Sequence, residues 1–275
     1  MTIGLWLGEA TRELRAVTIP SAKLDAEIIL AHTLRCARTY LHAHHDEPLD
    51  PRCEDIANAR IDLRKDRVPV AYIVGHKEFY GRKFHVSTAT LIPRPESEEM
   101  IQLLADISST TMSLLTDQPK RLIDIGTGSG CLGITAKLEY PDYDVALIDV
   151  STQALKIADK NARALRAQVS LLESNLLAAY PYAPDVVLAN LPYVDAAWEQ
   201  SPEVAHEPQQ ALYAGKHGLD LIEKCLIQLG SRMQPGAHAI FEADPRQWSA
   251  IIKLATVHGF TVQKQLRFAT LFAKI

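Results

Sequence analysis

Leu122-Ile123-Asp124-Ile125-Gly126-Thr127-Gly128-Ser129-Gly130 holds two kinds of order in one short stretch. Its first half is a short, mainly apolar run of the sort that makes a buried strand. Its second half alternates glycine with small hydroxyl residues. Glycine lets the backbone turn sharply and lets a ligand touch the main chain. A strand, a glycine turn and a helical pattern after it predict a βα unit, with a ligand seat outside the carboxyl end of the strand.

The same rhythm continues downstream. Val145–Ile148, Val169–Leu172, Val186–Ala189 and His238–Phe241 are further short apolar runs, with helical patterns between most of them. Such alternation predicts an α/β fold whose parallel sheet is covered on both faces. Phe260–Val262 and Thr270–Ala273 are joined by too short a connection for a parallel crossover, so they predict a final antiparallel pair.

Upstream, residues 1–70 read as a bundle of three or four helices. Ile3, Trp6, Ala10, Leu14 and Val17 make one apolar stripe, and Trp6 reads as core. Leu24, Ile28, Ala31 and Leu34 make a second stripe, and Ile56, Ala59 and Leu63 a third. Asp50-Pro51 has the form of a helix cap followed by proline at the first helical position. Arg64 to Arg67 read as a solvated helix end. Residues 71–92 predict a β-hairpin linker, from Tyr72-Ile73-Val74 and Phe84-His85-Val86 around Gly75 and Gly81. The remaining domain is expected over 93–275. There Pro93-Arg94-Pro95-Glu96 opens a helix with Met100, Ile101, Leu103 and Leu104 as its apolar positions, and Ser108–Pro119 reads as a surface connection.

Composition narrows the classes. With 275 residues, 47% of them hydrophobic and 23% charged, the chain fits one larger domain and a smaller appendage. A net charge of −4 lacks the global basic balance of a phosphate-backbone binder, so nucleic acid is not an expected partner. Cys36, Cys53, Cys131 and Cys225 form no Cys-x-x-Cys pair, and His42, His44 and His45 lack metal-ligand spacing, so no metal is expected. Neither a signal peptide nor a membrane span is evident, which predicts a cytoplasmic protein.

Two cofactors compete for the glycine turn. A dinucleotide site asks for Gly-x-Gly-x-x-Gly, and Cys131 stands where its third glycine belongs. The spacing of Gly126, Gly128 and Gly130 resembles instead the glycine loop of class I methyltransferases, whose S-adenosylmethionine needs close backbone approach but no phosphate cradle. Asp149 ends the next strand, where a carboxylate can accept both hydroxyls of a ribose. That ribose is common to both cofactors. Asp124 either orients the loop or is a polar strand end.

Asn190-Leu191-Pro192-Tyr193 ends the fourth strand of this domain at the same sheet edge. A planar NH2 group is a poor nucleophile because its lone pair is delocalised. The side-chain oxygen of Asn190 and the carbonyl of Leu191 can accept both of its N–H bonds. The nitrogen lone pair is then free to face an electrophilic methyl carbon. The Tyr193 ring can stack on the flat group, and positioning is the main catalytic contribution. Asn and Pro are also common turn residues, so the tetrapeptide gains its meaning from the glycine loop two strands earlier.

Together these motifs resemble the HemK/PrmC family, the N5-glutamine methyltransferases of peptide chain release factors. The likeness runs through Asp25-Ala26-Glu27, Pro69–Gly75, Glu78-Phe79-Tyr80-Gly81, Leu91-Ile92-Pro93-Arg94-Pro95-Glu96, Asp124–Gly130, Asn190–Tyr193, Glu207-Pro208 and Gly218-Leu219-Asp220. It implies a Rossmann-like methyltransferase sheet of seven strands behind an N-terminal helical bundle that docks a release factor. By the same resemblance, Gly126, Thr127, Gly128, Ser129, Gly130 and Asp149 hold S-adenosylmethionine, which leaves as S-adenosylhomocysteine. Asn190 touches cofactor and substrate, and Asn190, Leu191, Pro192 and Tyr193 grip the glutamine of a Gly-Gly-Gln loop. Three positions depart from the family. Leu191 replaces the first proline of Asn-Pro-Pro-Tyr, Asn175-Leu176 replaces an Asp-aromatic pair at the adenine pocket, and Gln265-Leu266-Arg267-Phe268 lacks an Arg-rich turn.

Asn-Leu-Pro-Tyr also resembles the motif of RNA adenine-N6 dimethyltransferases, which the charge and the placement of the extra domain disfavour. A ribosomal-protein glutamine methyltransferase shares the layout. An inactive cofactor-binding interaction protein would have no need of an intact Asn190. Trp198 and Glu207 fall in the long segment after Tyr193, where a lid is expected, and Glu207 either serves that lid or sits on the surface.

Overall fold

The computed structural model describes residues 1–111, 119–215 and 217–275. The chain divides into two compact units, residues 1–76 with 201–206, and residues 77–200 with 207–275. Among the described residues no helix is long and apolar enough to cross a membrane.

The first unit is helical, with α1 (Ile3–Ala16), α2 (Ala22–Leu34), α3 (Arg38–Ala43), α4 (Pro51–Lys65) and α5 (Val70–Val74). Thr2 caps α1 by accepting from the Leu5 amide, and Asp50 caps α4 by accepting from Arg52 and Cys53. Trp6 is core, and its indole N–H donates to Asn58 Oδ1 at 2.7 Å. Two expected stripes are rotated. In α2 the buried face is Ala22, Ala26, Ile29 and Leu30, while Leu24 is exposed. This helix packs against α1, α3, α4 and α5, so its small alanines, which admit close neighbours, set the face. In α4, Ala57 and Ile61 point inward and Ile56 and Leu63 face solvent.

Arg64 explains that rotation and corrects the reading of residues 64–67 as a solvated end. Its side chain is only 6% exposed, donates from Nε to Asp25 Oδ2 at 2.8 Å, and reaches Glu203 Oε1 at 3.1 Å from both terminal nitrogens. Glu203 belongs to the short turn Pro202–His206 that joins this unit. Tyr72-Ile73-Val74 is helical rather than a strand. Pro69 starts α5 and left-handed Gly75 ends it, and these two boundaries outweigh the β preference of the residues between. The hairpin strands lie just beyond, as β1 (His76–Phe79) and β2 (Arg82–His85). Tyr80 and Gly81 both have positive φ, as a two-residue turn of right-handed twist demands.

The second unit holds α6 (Glu98–Thr111), β3 (Arg121–Ile125), α7 (Cys131–Glu139), β4 (Asp144–Asp149), α8 (Thr152–Leu165), β5 (Ser170–Glu173), β6 (Val186–Ala189), α9 (Asp220–Arg232), β7 (His238–Glu242), α10 (Trp248–Val257), β8 (Phe260–Gln265) and β9 (Ala269–Lys274). Their sheet has seven strands in the order β5-β4-β3-β6-β7-β9-β8. Strands β5 to β7 pair in parallel, and β9 runs antiparallel to both of its neighbours. This is the expected α/β architecture with its closing antiparallel pair. Alternate residues serve opposite faces. Ile123, Ile148, Val187 and Ala189 pack with α9 and α10, while Leu122, Leu147, Val186 and Leu188 pack with α6, α7 and α8. The polar connection expected from Ser108 begins later. Ser108 Oγ bonds back to the Leu104 carbonyl, α6 continues to Thr111, and residues 112–118 of that stretch lie outside the described residues.

The order places β4 on one side of β3 and β6 on the other. Successive crossovers therefore leave β3 in opposite directions, and a crevice opens at its carboxyl end.

Candidate active site

The crevice begins where β3 runs into the glycine turn. Gly126, Gly128 and Gly130 all have positive φ. At Gly130 a Cβ would lie 2.7 Å from Ile134 Cδ1 and 3.2 Å from Ala158, so this glycine serves packing between helices. At Gly126 a Cβ would meet the Leu191 side chain at 3.2 Å. Asp124 Oδ2 accepts from Thr127 Oγ1 at 2.6 Å and from the Gly133 amide at 2.9 Å, tying the turn to the first helical residues. Asp124 is buried and its Oδ1 has no partner among the described residues. Burial pushes its carboxyl up to about 6, against the two donated bonds.

The turn uses its own amides. Gly126 and Thr127 both donate to the Ile148 carbonyl, Gly130 donates to Thr127, and Gly128 donates to Asp149 Oδ2 at 2.9 Å. A pyrophosphate cradle needs such amides free and converging. Here four of the turn's N–H groups are spent, which suits a ligand without phosphate. Asp149 Oδ1 accepts from Ser151, so each oxygen holds one backbone donor and keeps a lone pair for a hydroxyl.

Gly126, Thr127, Gly128, Ser129, Asp149, Asn175, Leu176, Asn190, Leu191 and Pro192 line one cleft. Its empty volume, with the open solvent at the mouth included, is about 1000 Å³. Gly130 and Tyr193, both expected at the site, do not line it. Leu176 adopts φ 53, turning the chain after β5 so that Ser174, Asn175 and Leu176 all face the cleft.

Asn190 follows β6 and donates from Nδ2 to Ser97 Oγ at 3.1 Å, so its Oδ1 keeps its acceptor capacity. Leu191 is buried. Tyr193 turns inward, its ring packed on the core and its hydroxyl donating to Glu242 Oε1 at 3.1 Å. Burial and the neighbouring Glu242 carboxyl raise its pKa. Gln247 Nε2 holds the Tyr193 carbonyl at 2.8 Å. This placement gives Tyr193 an anchoring position rather than a stacking surface.

Several contributors escaped the sequence reading. Ala89 to Arg94 and Ser97 line the cleft, as do Pro208, Gln210 and Ala211. Glu207, expected on a lid or the surface, is buried. It accepts from the Ile92 amide at 3.1 Å and pairs with Arg94, joining those two lining segments. Trp198 lies under the Arg246 guanidinium, 3.8 Å from ring centre to Cζ. Glu242 was visible only as a carboxylate ending a buried strand.

Sheet order, glycine turn and cleft define a methyltransferase. Residues 104–211 match the methyltransferase small domain, and residues 6–75 match the PrmC N-terminal domain. Two solved structures share the fold at low identity. A methyltransferase from Pyrococcus furiosus has TM-score 0.52 and 18% identity, over 79% of this chain and 97% of its own. The 16S rRNA N2 G1207 methyltransferase of T. thermophilus, in complex with AdoMet and guanosine, has TM-score 0.52 and 16% identity, over 72% of this chain and 49% of its own. Sequence relatives are nearer. The release factor glutamine methyltransferase of Koribacter versatilis is 34% identical over 90% of this chain and 92% of its own. That of Deinococcus radiodurans is 32% identical over 87% and 85%, and that of Escherichia coli 31% over 93% and 90%. The chain belongs to the release factor glutamine methyltransferase family, as its motifs predicted.

Proposed function

We propose that the protein transfers a methyl group from S-adenosylmethionine to the side-chain amide nitrogen (N5) of the glutamine in the Gly-Gly-Gln motif of peptide chain release factors. The observation that carries this reading is the amide of Asn190. Its Nδ2 is committed to Ser97, and its Oδ1 is left at a cleft whose glycine turn has spent its amides internally.

The cofactor fits the residues present. Asp149 retains lone pairs for ribose hydroxyls, Gly126 has no side chain where the turn approaches Leu191, and no phosphate need be satisfied. When bound, S-adenosylmethionine supplies a methyl carbon made electrophilic by its sulfonium. Asn190 Oδ1 accepts one N–H of the substrate carboxamide, and the Leu191 carbonyl accepts the other. Held by both hydrogens, the nitrogen directs its lone pair at that carbon. Transfer to the nitrogen so held would leave the C–S electron pair on sulfur, and the alkylated nitrogen would then lose a proton. A strong base is unnecessary, because alkylation itself makes the nitrogen acidic. Residues 1–70 serve release-factor docking in this reading.

The test incubates the protein with labelled methyl donor and, in parallel, a release factor, ribosomal proteins and RNA. Label on the Gly-Gly-Gln glutamine is the expected result. Label on RNA adenine or ribosomal protein, with none on release factor, overturns the proposal.

A further inference from the structure

Strands β6 and β7 run side by side with Ala189 opposite Phe241. The next residue along each chain is polar, Asn190 just past the end of β6 and Glu242 at the end of β7. Glu242 follows three fully buried residues and is itself 1% exposed. It does not line the cleft. One oxygen accepts the Tyr193 hydroxyl. The other, Oε2, is buried and makes no hydrogen bond of ordinary geometry to the described residues, although Ser97 and Asn190 stand close enough to affect its ionisation. A buried carboxyl so incompletely satisfied costs stability, and packing alone does not account for it.

The groups around it explain its place. Ser97 accepts from Asn190, Tyr193 ends the Asn190–Tyr193 tetrapeptide and donates to Glu242, and Ser97 stands near enough to the carboxyl to lower its pKa. We infer that Glu242 is a positioning residue for methyl transfer, holding Ser97 and Tyr193 so that the Asn190 amide keeps Nδ2 inward and presents Oδ1 to the cleft. This rests on the methyl-transfer reading above. Without the carboxyl, Ser97 can turn its hydroxyl proton toward Asn190. The amide then loses its reason to prefer one of its two flips, and a flipped Asn190 offers the substrate a donor where an acceptor is required. Burial pushes the Glu242 carboxyl up to about 7, with Ser97, Tyr193 and Asn190 drawing it down and Glu96 adding to the rise. Cys131 also lies within its field.

The test compares wild type, Glu242→Gln, Ser97→Ala and the double variant at pH 8. Glu242→Gln is expected to lower kcat at least tenfold. KM for the release factor and Kd for the methyl donor should stay within about threefold, and Tm should be no lower than wild type. The double variant should be no more than about threefold slower than the slower single variant, because both changes cut one chain of contacts. Unchanged kcat overturns the inference, as do multiplied effects or a loss of kcat matched by loss of cofactor affinity and Tm. Wild type that methylates nothing would sink the functional reading instead. The inference then stands or falls on the side-chain amide NMR signals of Asn190. These should shift or broaden in Glu242→Gln, and identical signals in both proteins overturn it.

Discussion

Asn190 meets its surroundings through two different atoms, and that asymmetry makes it the most sensitive single position. Nδ2 is anchored on Ser97 while Oδ1 remains an acceptor. Replacing it with alanine removes the acceptor but no core packing, since the residue is only half-buried. An acceptor whose bond strengthens in the transition state is worth roughly 10²–10³ in kcat. Asn190→Ala should lose that much while the melting temperature stays within a few degrees, and retained turnover would contradict its role. Asp124 offers a pH test. Its folded pKa, about 6, lies above the ordinary 3.8. The folded state therefore holds its proton more tightly, and the stability this gives is present below about pH 4 and lost as pH rises through 6. Asp124→Asn cannot ionise and escapes that loss. Its melting temperature relative to wild type should rise by several degrees between pH 4 and pH 7, and a flat difference would show that charging Asp124 is not what costs stability.

At the scale of elements, two lining segments are joined by one buried acid. Glu207 is 2% exposed in its side chain, while Arg94 is 35% exposed. Arg94→Ala leaves the carboxylate buried with the Ile92 amide as its one donor among the described residues. The cost should fall below the ~3–5 kcal/mol of a fully buried pair, because solvent already screens the arginine. Arg94→Ala should lower Tm and weaken methyl-donor binding several-fold. The double variant Arg94→Ala, Glu207→Gln should recover part of the Tm, and failure to recover would mean the unpaired charge is not the cause. Elements also mark what the sequence could and could not disclose. Alternating strands and helices were legible because strands buried on both faces leave continuous apolar runs, as at Val186–Ala189. Tyr72–Val74 was not, since three β-prone residues lost to the proline and glycine bracketing them. The cleft's glycine turn and Asn190 were legible because both follow strand ends. Glu242 and Ser97 were not, because their meaning depends on the register of β6 against β7 and on where α6 begins. The inward turn of Tyr193 was hidden for the same reason, its partner lying 49 residues away in sequence.

On the scale of the whole molecule, the chain leaves its second unit after residue 200, contributes residues 201–206 to the helical unit, and returns at 207. An ionic cluster within the helical unit accounts for that detour. Arg64, as buried as Asp25, joins Asp25 in α2 to Glu203, and Arg67 adds a longer contact to Glu203 at 3.4 Å. Partial burial by itself would raise the Glu203 pKa, but a backbone bond and the two arginines outweigh it and the net shift is downward. A lowered folded pKa stabilises above the ordinary carboxylate range, and that contribution is lost as pH falls through the folded value. Removing Arg64 leaves Asp25 with the Ser21 hydroxyl and Glu203 with Arg67, so the cost should fall below the roughly 3–5 kcal/mol of a fully buried pair broken outright. Hydrogen exchange gives a local readout. In Arg64→Ala, amides of residues 201–206 and of α2 should exchange at least tenfold faster, while those of residues 122–130, in the other unit, should not change. Acid should loosen residues 201–206 in wild type in the same way once Glu203 protonates, and Arg64→Ala should show little further effect of pH there. Equal protection of residues 201–206 in both proteins at neutral pH would mean that apolar packing, not the arginine, holds this segment to the helices.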